Sequence, residues 1–280
     1  MMHRDTWFAL AERALLCVEP ADKIEAVALL GRVMRGAQRH EPLPAPPIRA
    51  IPVPGRPVRP ELVLPRELKS RKLGSPLGRA VLVHAVAHIE FNAINLALDA
   101  IYRFRSLPDT FSLDWLSVAE DEARHFQLLA RRLGELGHAY GDFPAHNGLW
   151  QAAFDTADDA LKRMALVPRV LEARGLDVTP GMMARLREVG DLATVACLEV
   201  ILAEEVGHVA IGTRWYRYLC AEAGIADSDA HFLNLLRQHG HGAVRPPFNE
   251  PARLSAGFTV REQAGLLALS MPPPDPGVSD

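Results

Sequence analysis

The chain has 280 residues, of which 49% are hydrophobic and 23% charged, and its formal net charge is −3. This length supports one large domain or two small ones with a sizeable core, and the small negative charge gives no general attraction to nucleic acid or to anionic membranes. Three cysteines without any Cys-x-x-Cys spacing argue against a disulfide scaffold, a zinc knuckle and a rubredoxin-like iron centre.

The first 40 residues predict a helical hairpin with no chemistry of its own. Helical periodicity covers residues 5–18 and 21–38, and Pro20 marks a break that is followed by a helix start. An acidic residue comes too early for a signal peptide, and no uncharged apolar run of about 20 residues is available for a membrane span. We therefore expect a soluble, cytoplasmic protein.

Residues 41–75 predict an extended strap. Prolines recur every few residues from Pro42 to Pro65, which excludes a helix or a central strand. A free linker would be more polar, so we expect the strap to pack on the helices. The apolar positions that would pack are Ile48, Ile51, Val53, Leu62 and Leu64. A basic run from Arg56 to Arg79 is interpreted as a solvated face.

Two long helices are predicted next, and both carry acidic residues inside an apolar pattern. The first runs from Ser75, an N-cap, to about Phe104 and contains Glu90. Burying an unpaired carboxylate costs several kcal/mol, so Glu90 needs a metal, an arginine or the surface. The second runs from Ser112, as its cap, to about Leu136.

The second of these helices contains Glu122-Ala-Arg-His125. Residues three apart share a helix face, with Cβ atoms roughly 5–6 Å apart, so Glu122 and His125 can hold one metal ion together. Asp121, four residues before the histidine, is a rival ligand. A similar Glu135-Leu-Gly-His138 is discounted, because its glycines indicate the end of the helix.

A second hairpin repeats this arrangement. A third helix is predicted from Leu149 to about Gly175, with Glu172 near its end, where the carboxylate needs a metal or an ion pair with Arg169 or Arg174. A fourth, over residues 180–220, carries Glu205-Val-Gly-His208. Glu204 is the rival of Glu205 here.

Gly207 lies between the acid and the imidazole of this fourth helix. A glycine inside a helix costs about 1 kcal/mol relative to alanine, so we expect a neighbouring helix or a substrate to approach it closely.

The spacing of the acids links the two hairpins. Glu90 lies 32 residues before Glu122, and Glu172 lies 33 before Glu205. One Glu-x-x-His is expected by chance among eleven histidines. Two copies, each preceded by a lone glutamate at the same distance, match the ligand order of di-iron carboxylate bundles.

At this point the sequence resembles the ferritin-like superfamily and, more narrowly, the bacterial DUF455 family. The stretches that carry this resemblance are His84–Glu90, Leu171–Pro180, Glu205–Gly212 and Pro247–Arg253. The resemblance implies an all-α fold with a ferritin-like four-helix bundle over residues 76–224. Residues 225–280 would form a C-terminal extension that acts as a lid or as a homodimer surface.

The implied metal ligands are Glu90, Glu122, His125, Glu172, Glu205 and His208. Carboxylates with imidazoles suit two iron ions, or manganese, or a mixed pair. The other ring nitrogen of each histidine should bind a second acid, with Asp121, Asp191 and Glu199 as candidates. His84, His239 and His241 are left open as further ligands. For His84 and His88 we expect packing or hydrogen bonding to a ligand, and for the other two a surface or lid role.

The predicted function is that of an O2-activating oxidase or hydroxylase acting on an unidentified small organic substrate. Because the chain lacks both a Gly-x-Gly-x-x-Gly motif and cysteine ligands for an iron–sulfur centre, an external reductase must supply electrons. One alternative is an iron-binding or ferroxidase-type storage protein. Another is a tRNA-modifying hydroxylase, which the basic run would favour.

Overall fold

The computed structural model describes residues 4–69, 71–239 and 244–270. Within these ranges the regular structure is helical, and strand-like pairing is confined to one bridge between Leu62 and Ala145. The all-α prediction is therefore confirmed. The chain forms two compact units: unit one comprises Met1–Asp158 and Met182–Ile201, and unit two comprises Asp159–Gly181 and Leu202–Asp280.

Unit one is organised around one long apolar helix. Its helices are α1 (Arg4–Leu16), α2 (Pro20–Met34), α3 (Pro76–Arg103), α4 (Asp109–Glu135) and α5 (Gly148–Asp155). Helix α3 packs against α1, α4 and α5, while α2 packs on α1 and α4. Length and composition would allow α3 to cross a membrane, but 72% of its most apolar window is buried inside the protein. Its apolar character is thus accounted for by the core.

The start of α3 confirms the predicted cap. The Ser75 side chain accepts a hydrogen bond from the Gly78 backbone N–H at 3.0 Å, and Pro76 occupies the first helical position. This arrangement satisfies one of the backbone donors left open at a helix start.

Helix α4 begins three residues earlier than predicted. It starts at Asp109, and Ser112 is buried inside the helix, so it does not cap it. The carboxylate of Asp109 lies in the first turn, where its negative charge interacts favourably with the helix dipole. It also forms an ion pair with Arg4, with 2.6 Å between Asp109 Oδ1 and Arg4 Nε. Helix α4 ends at Glu135, followed by Gly137 at φ +78°, which confirms that the Glu135 copy of the motif does not share one helix.

Over its described residues the strap segment contains no α-helix and no strand, and its regular structure is a short 3₁₀ turn at Pro65–Glu67. Its apolar packing is smaller than expected, since Ile51 is buried but most of the other apolar positions are half exposed or more. Those exposed positions are Ile48, Val53 and Leu64.

Hydrogen bonds to the strap backbone replace the missing apolar contacts. The Tyr102 hydroxyl donates to the carbonyl of Pro47 and accepts from the N–H of Arg49, both at 2.9 Å. The Trp150 indole donates to the carbonyl of Pro52 at 3.1 Å. Because proline-rich backbone has few donors of its own, buried aromatic side chains fix this segment through its carbonyls.

Unit two contains shorter helices and one irregular turn. Its elements are α6 (Ala160–Leu166), a π-helix (Val167–Glu172), α7 (Ala173–Glu188), α8 (Leu192–Glu222), α9 (Ser228–His239), α10 (Glu250–Ser255) and α11 (Val260–Ser270), of which α7 and α8 contribute residues to both units. Helix α9 packs on α6 and α11.

The predicted third helix is wrong as a continuous element. Helix α5 ends at Asp155, and the Asp159 side chain then caps α6 by accepting from the N–H of Lys162. Pro168 cannot donate an α-helical bond, and the chain is π-helical there. Helical structure then continues past Gly175 to Glu188, so Glu172 does not lie near a helix end.

The predicted start of the fourth helix at residue 180 is also wrong. Residue 180 lies inside α7, and Gly190 at φ +75° ends that helix. The backbone N–H groups of Gly190 and Asp191 bind the carbonyls of Arg187 and Leu186, a typical C-terminal stop. Helix α8 begins only at Leu192.

Two buried ion pairs fix the C-terminal helices of unit two. The guanidinium of Arg169 binds Glu262 at 2.6 Å, and both residues are fully buried. Arg253 binds both carboxylate oxygens of Asp177, at 2.9 and 2.8 Å. The first pair links α11 to the π-helix, and the second links α10 to α7.

The predicted segment boundaries at residues 40, 75 and 224 stay a prediction.

Candidate metal centre

Unit one brings together three of the predicted ligands. Helix α3 supplies Glu90, and α4 supplies Glu122 and His125; one donor atom of each lies within 4.8 Å of the others. His125 Nδ1 is 3.2 Å from Glu90 Oε2 and 3.4 Å from Glu122 Oε2. Their exposed fractions are only 3% for Glu90, 0% for Glu122 and 1% for His125.

The helical phase of α4 decides between the two rival acids. Glu122 points into the buried cluster, whereas the side chain of Asp121 is 32% exposed and pairs with Arg124 on the same helix. Glu122 is thus the acid that accompanies His125. The short connection between α3 and α4 brings Glu90 beside them, because the two helices pack along one another.

The charges in this cluster depend on one another. Burial lowers the pKa of His125, but hydrogen bonds and the charges of Glu122 and Glu90 outweigh it and raise that pKa to about 11. The imidazolium therefore partly neutralises two buried carboxylates. A divalent ion can take over this role once the proton leaves, and two carboxylates with one imidazole are a donor set that suits iron or manganese.

Unit two places a matching pair on α8. His208 Nδ1 lies 3.8 Å from Glu205 Oε1; the imidazole is buried, and the Glu205 side chain is 12% exposed. Glu199 lies about 180° around the helix from His208. It is exposed and forms an ion pair with Arg187 at 2.6 Å. The Glu-x-x-His spacing therefore gives the same local geometry in both units.

Glu172 is buried on the π-helix of unit two. Arg169 binds Glu262, and Arg174 donates to the carbonyls of Arg245 and Pro247. The role of Glu172 as a ligand stays a prediction.

The two glycines of this part of α8 behave differently. Among the described residues, nothing lies within 4 Å of a Cβ added at Gly207, so the expected approach of a neighbouring helix is not found there. At Gly212 the added Cβ would collide with the ring of Pro168 on the π-helix. Gly212 is therefore the position where the packing of unit two requires a glycine.

Comparison with known proteins places the chain in a family. The family model described as "Protein of unknown function (DUF455)" matches residues 16–264. The chain belongs to the DUF455 family. A protein of Haemophilus influenzae described as "Uncharacterized protein" is 46% identical over 213 residues, covering 74% of this chain and 74% of the relative. No solved structure matches.

In this DUF455 protein the acids expected to orient the histidines bind arginines. Asp191 accepts from Arg132 at 2.8 Å and from the hydroxyl of Thr194. Glu199 pairs with Arg187, and Asp121 pairs with Arg124 within α4. Acids with such roles could not be distinguished from acids that support a ligand by the sequence pattern.

The histidines near Glu90 have packing partners. His84 Nε2 accepts a hydrogen bond from the N–H of Gly141 at 3.0 Å, and its ring stacks on Tyr140. His88 Nδ1 lies 2.9 Å from the Tyr140 hydroxyl. His239 is exposed at the end of α9, and His241 lies outside the described residues.

Burial of His84 gives the DUF455 protein a specific acid sensitivity. Burial lowers the pKa of His84 to about 4, whereas an unfolded histidine titrates near 6.5. Between these values the unfolded state binds more protons, so acidification should destabilise the fold, by on the order of 2 kcal/mol from this residue. In urea unfolding of the metal-free protein, His84→Gln should flatten the loss of stability between pH 6.5 and pH 4. If the free energy of unfolding fell equally steeply with pH in wild type and in His84→Gln, His84 would not be the source of this acid sensitivity.

Proposed function

We propose that this DUF455 protein is a ferritin-like di-metal carboxylate protein that binds two iron ions and uses O2 to oxidise or hydroxylate an organic substrate. Manganese or a mixed pair is the alternative metal content. The observation that supports the proposal is the buried cluster of Glu90, Glu122 and His125 in unit one.

The donor atoms of the cluster converge at one buried point. Removing a carboxylate from water costs several kcal/mol, so buried acids are typically paired with a cation or bound to a metal. His125 Nδ1 lies 3.2 Å from Glu90 Oε2 and 3.4 Å from Glu122 Oε2. Two carboxylates and one imidazole that face one another in this way are donors that suit iron or manganese.

We further propose that Glu172, Glu205 and His208 supply the second set of ligands. The support is the repeated order of a lone glutamate followed by Glu-x-x-His, together with the close Glu205–His208 pair and the burial of Glu172. Four carboxylates and two neutral imidazoles would balance two divalent ions in charge.

Iron bound there would supply the redox chemistry towards O2. Glu90, Glu122 and His125 would hold the metal, with His125 as the neutral imidazole, and buried apolar residues such as Phe126 and Ala119 would keep water away. The three cysteines are free, and two of them are buried with a pKa raised by burial. An external reductase is therefore part of the proposal.

Elemental analysis of the protein purified without added metal tests the proposal. We expect about two irons per chain, and O2 uptake by the chemically reduced protein without added ferrous ion. Glu205→Ala should lower the content to one ion or fewer, while the matched Glu199→Ala should keep two, because Glu199 only binds Arg187 at the surface. One zinc per chain, or equal metal loss in both variants, would refute the di-iron assignment. Repeated turnover of ferrous ion alone would favour storage.

A further inference from the structure

Unit one contains a second candidate site, a cleft of about 670 Å³ beside α3. Its floor is α3. One wall contains Glu67, Leu68, Lys69, Arg71 and Leu73 of the strap, and the other contains Phe143, Pro144, Ala145, His146 and Leu149. We propose that this cleft binds a small anionic amphiphile, meaning a molecule with an apolar body and one carboxylate or phosphate group.

The cleft lies on the side of α3 away from the metal ligands. Val81, His88 and Asn92 line it, and at 100° per residue they lie roughly 160–180° around the helix from Glu90. Glu90 itself points into the buried cluster with His125. The cleft is therefore distinct from the proposed metal centre.

The floor of the cleft is apolar and unusually exposed for this helix. Val81, Ala85 and Ile89 follow each other at intervals of four residues and form one stripe. Ile89 is 48% exposed, although most of α3 is buried in the core. An apolar stripe enclosed by two walls, with a volume within the usual range of small-molecule pockets, fits the body of a ligand better than a partner helix.

The charged residues of the cleft favour an anion. Lys69 and Arg71 lie exposed on the strap wall. The one acid of that wall, Glu67, already accepts a hydrogen bond from the N–H of Leu64 at 2.9 Å. Because two cations and one acid line this wall, its net charge is positive, and a ligand carboxylate or phosphate placed there would be attracted.

Three polar side chains line the cleft, two of them buried on the floor and one on the loop. Asn92 donates to the carbonyl of His88 at 2.9 Å, and both side chains are buried. On the loop, His146 Nδ1 accepts from the N–H of Gly148 at 3.1 Å. With Nδ1 as the acceptor, the ring proton of His146 lies on Nε2, which can donate to an anionic oxygen.

Competition with a fluorescent probe tests this site in the full-length protein. The probe is 8-anilinonaphthalene-1-sulfonate, displaced by dodecanoate, dodecyl phosphate or uncharged dodecanol below their micellar concentrations. We expect the two anions to displace the probe at concentrations about tenfold lower than dodecanol does. The stronger of the two identifies the head group. Equal potency of all three would overturn the anionic part of the proposal.

Two variants locate the binding. Ala85→Phe fills the cleft at an exposed position and should weaken dodecanoate binding about tenfold or more, whereas Ala196→Phe, at an exposed position of α8 that does not line the cleft, should not. Lys69→Glu combined with Arg71→Glu should remove the preference for anions over dodecanol. Thermal unfolding and metal content should match wild type in the Ala85→Phe protein. Equal dodecanoate affinity in the two phenylalanine variants would overturn the site, whatever the outcome for the metal centre.

Discussion

Glu122→Ala is expected to remove most of the metal from the purified protein, with a loss of occupancy of about tenfold or more. The reason is geometric, since the Glu122 carboxylate is completely buried and lies 3.4 Å from the imidazole of His125. Alanine would leave an apolar gap in place of the proposed ligand atom. The measurement is elemental analysis of wild type and variant purified side by side.

Asp121→Ala is the matched control for that experiment. It removes the same chemical group one residue earlier on α4, but from a partly exposed side chain that pairs with Arg124. Its metal content should equal that of wild type, and its stability should change by less than about 1 kcal/mol. If both variants lost metal equally, the cluster around Glu122 would not be the binding site.

Glu262→Ala is expected to destabilise the fold by roughly 3–5 kcal/mol, because it leaves the Arg169 cation buried without its partner. Arg169 is fully buried, burial lowers its pKa, and its guanidinium lies 3.9 Å from the ring centre of Phe232. Chemical unfolding of the metal-free protein measures the loss.

The double replacement Arg169→Met with Glu262→Leu separates charge burial from simple loss of packing. Apolar residues of similar volume in place of a buried pair are often neutral or stabilising. We therefore expect the double variant to recover most of the stability lost in Glu262→Ala. A double variant as unstable as the single one would mean that packing, rather than the unpaired cation, explains the loss.

The local geometry of the candidate centre could be predicted from sequence because it depends on helical phase alone. Glu122 and His125 are three residues apart, and apolar neighbours show which face is buried. The cap at Ser75 and the stop after Glu135 are also local signals. In these cases the residues that decide the structure are adjacent in the chain.

The sequence misled where distant residues decide the structure. Gly175 resembles a helix end, yet the chain stays helical through it to Glu188. Gly212, rather than Gly207, is the glycine that a neighbour requires, and that neighbour, Pro168, lies more than forty residues earlier. The cleft could not be predicted either, since its walls and floor come from segments far apart in the chain.

The π-helix at Val167–Glu172 gives this segment a tolerance to length changes that differs from that of a regular helix. A π turn holds one more residue than the α turn it replaces. Deleting one residue between Pro168 and Leu171 would therefore restore an ordinary α turn and leave the flanking residues pointing in nearly their present directions. The same deletion inside α7 would rotate everything on one side of the cut by about 100° relative to the other. Natural variants should therefore lose one residue in this turn more readily than in the regular helix that follows it.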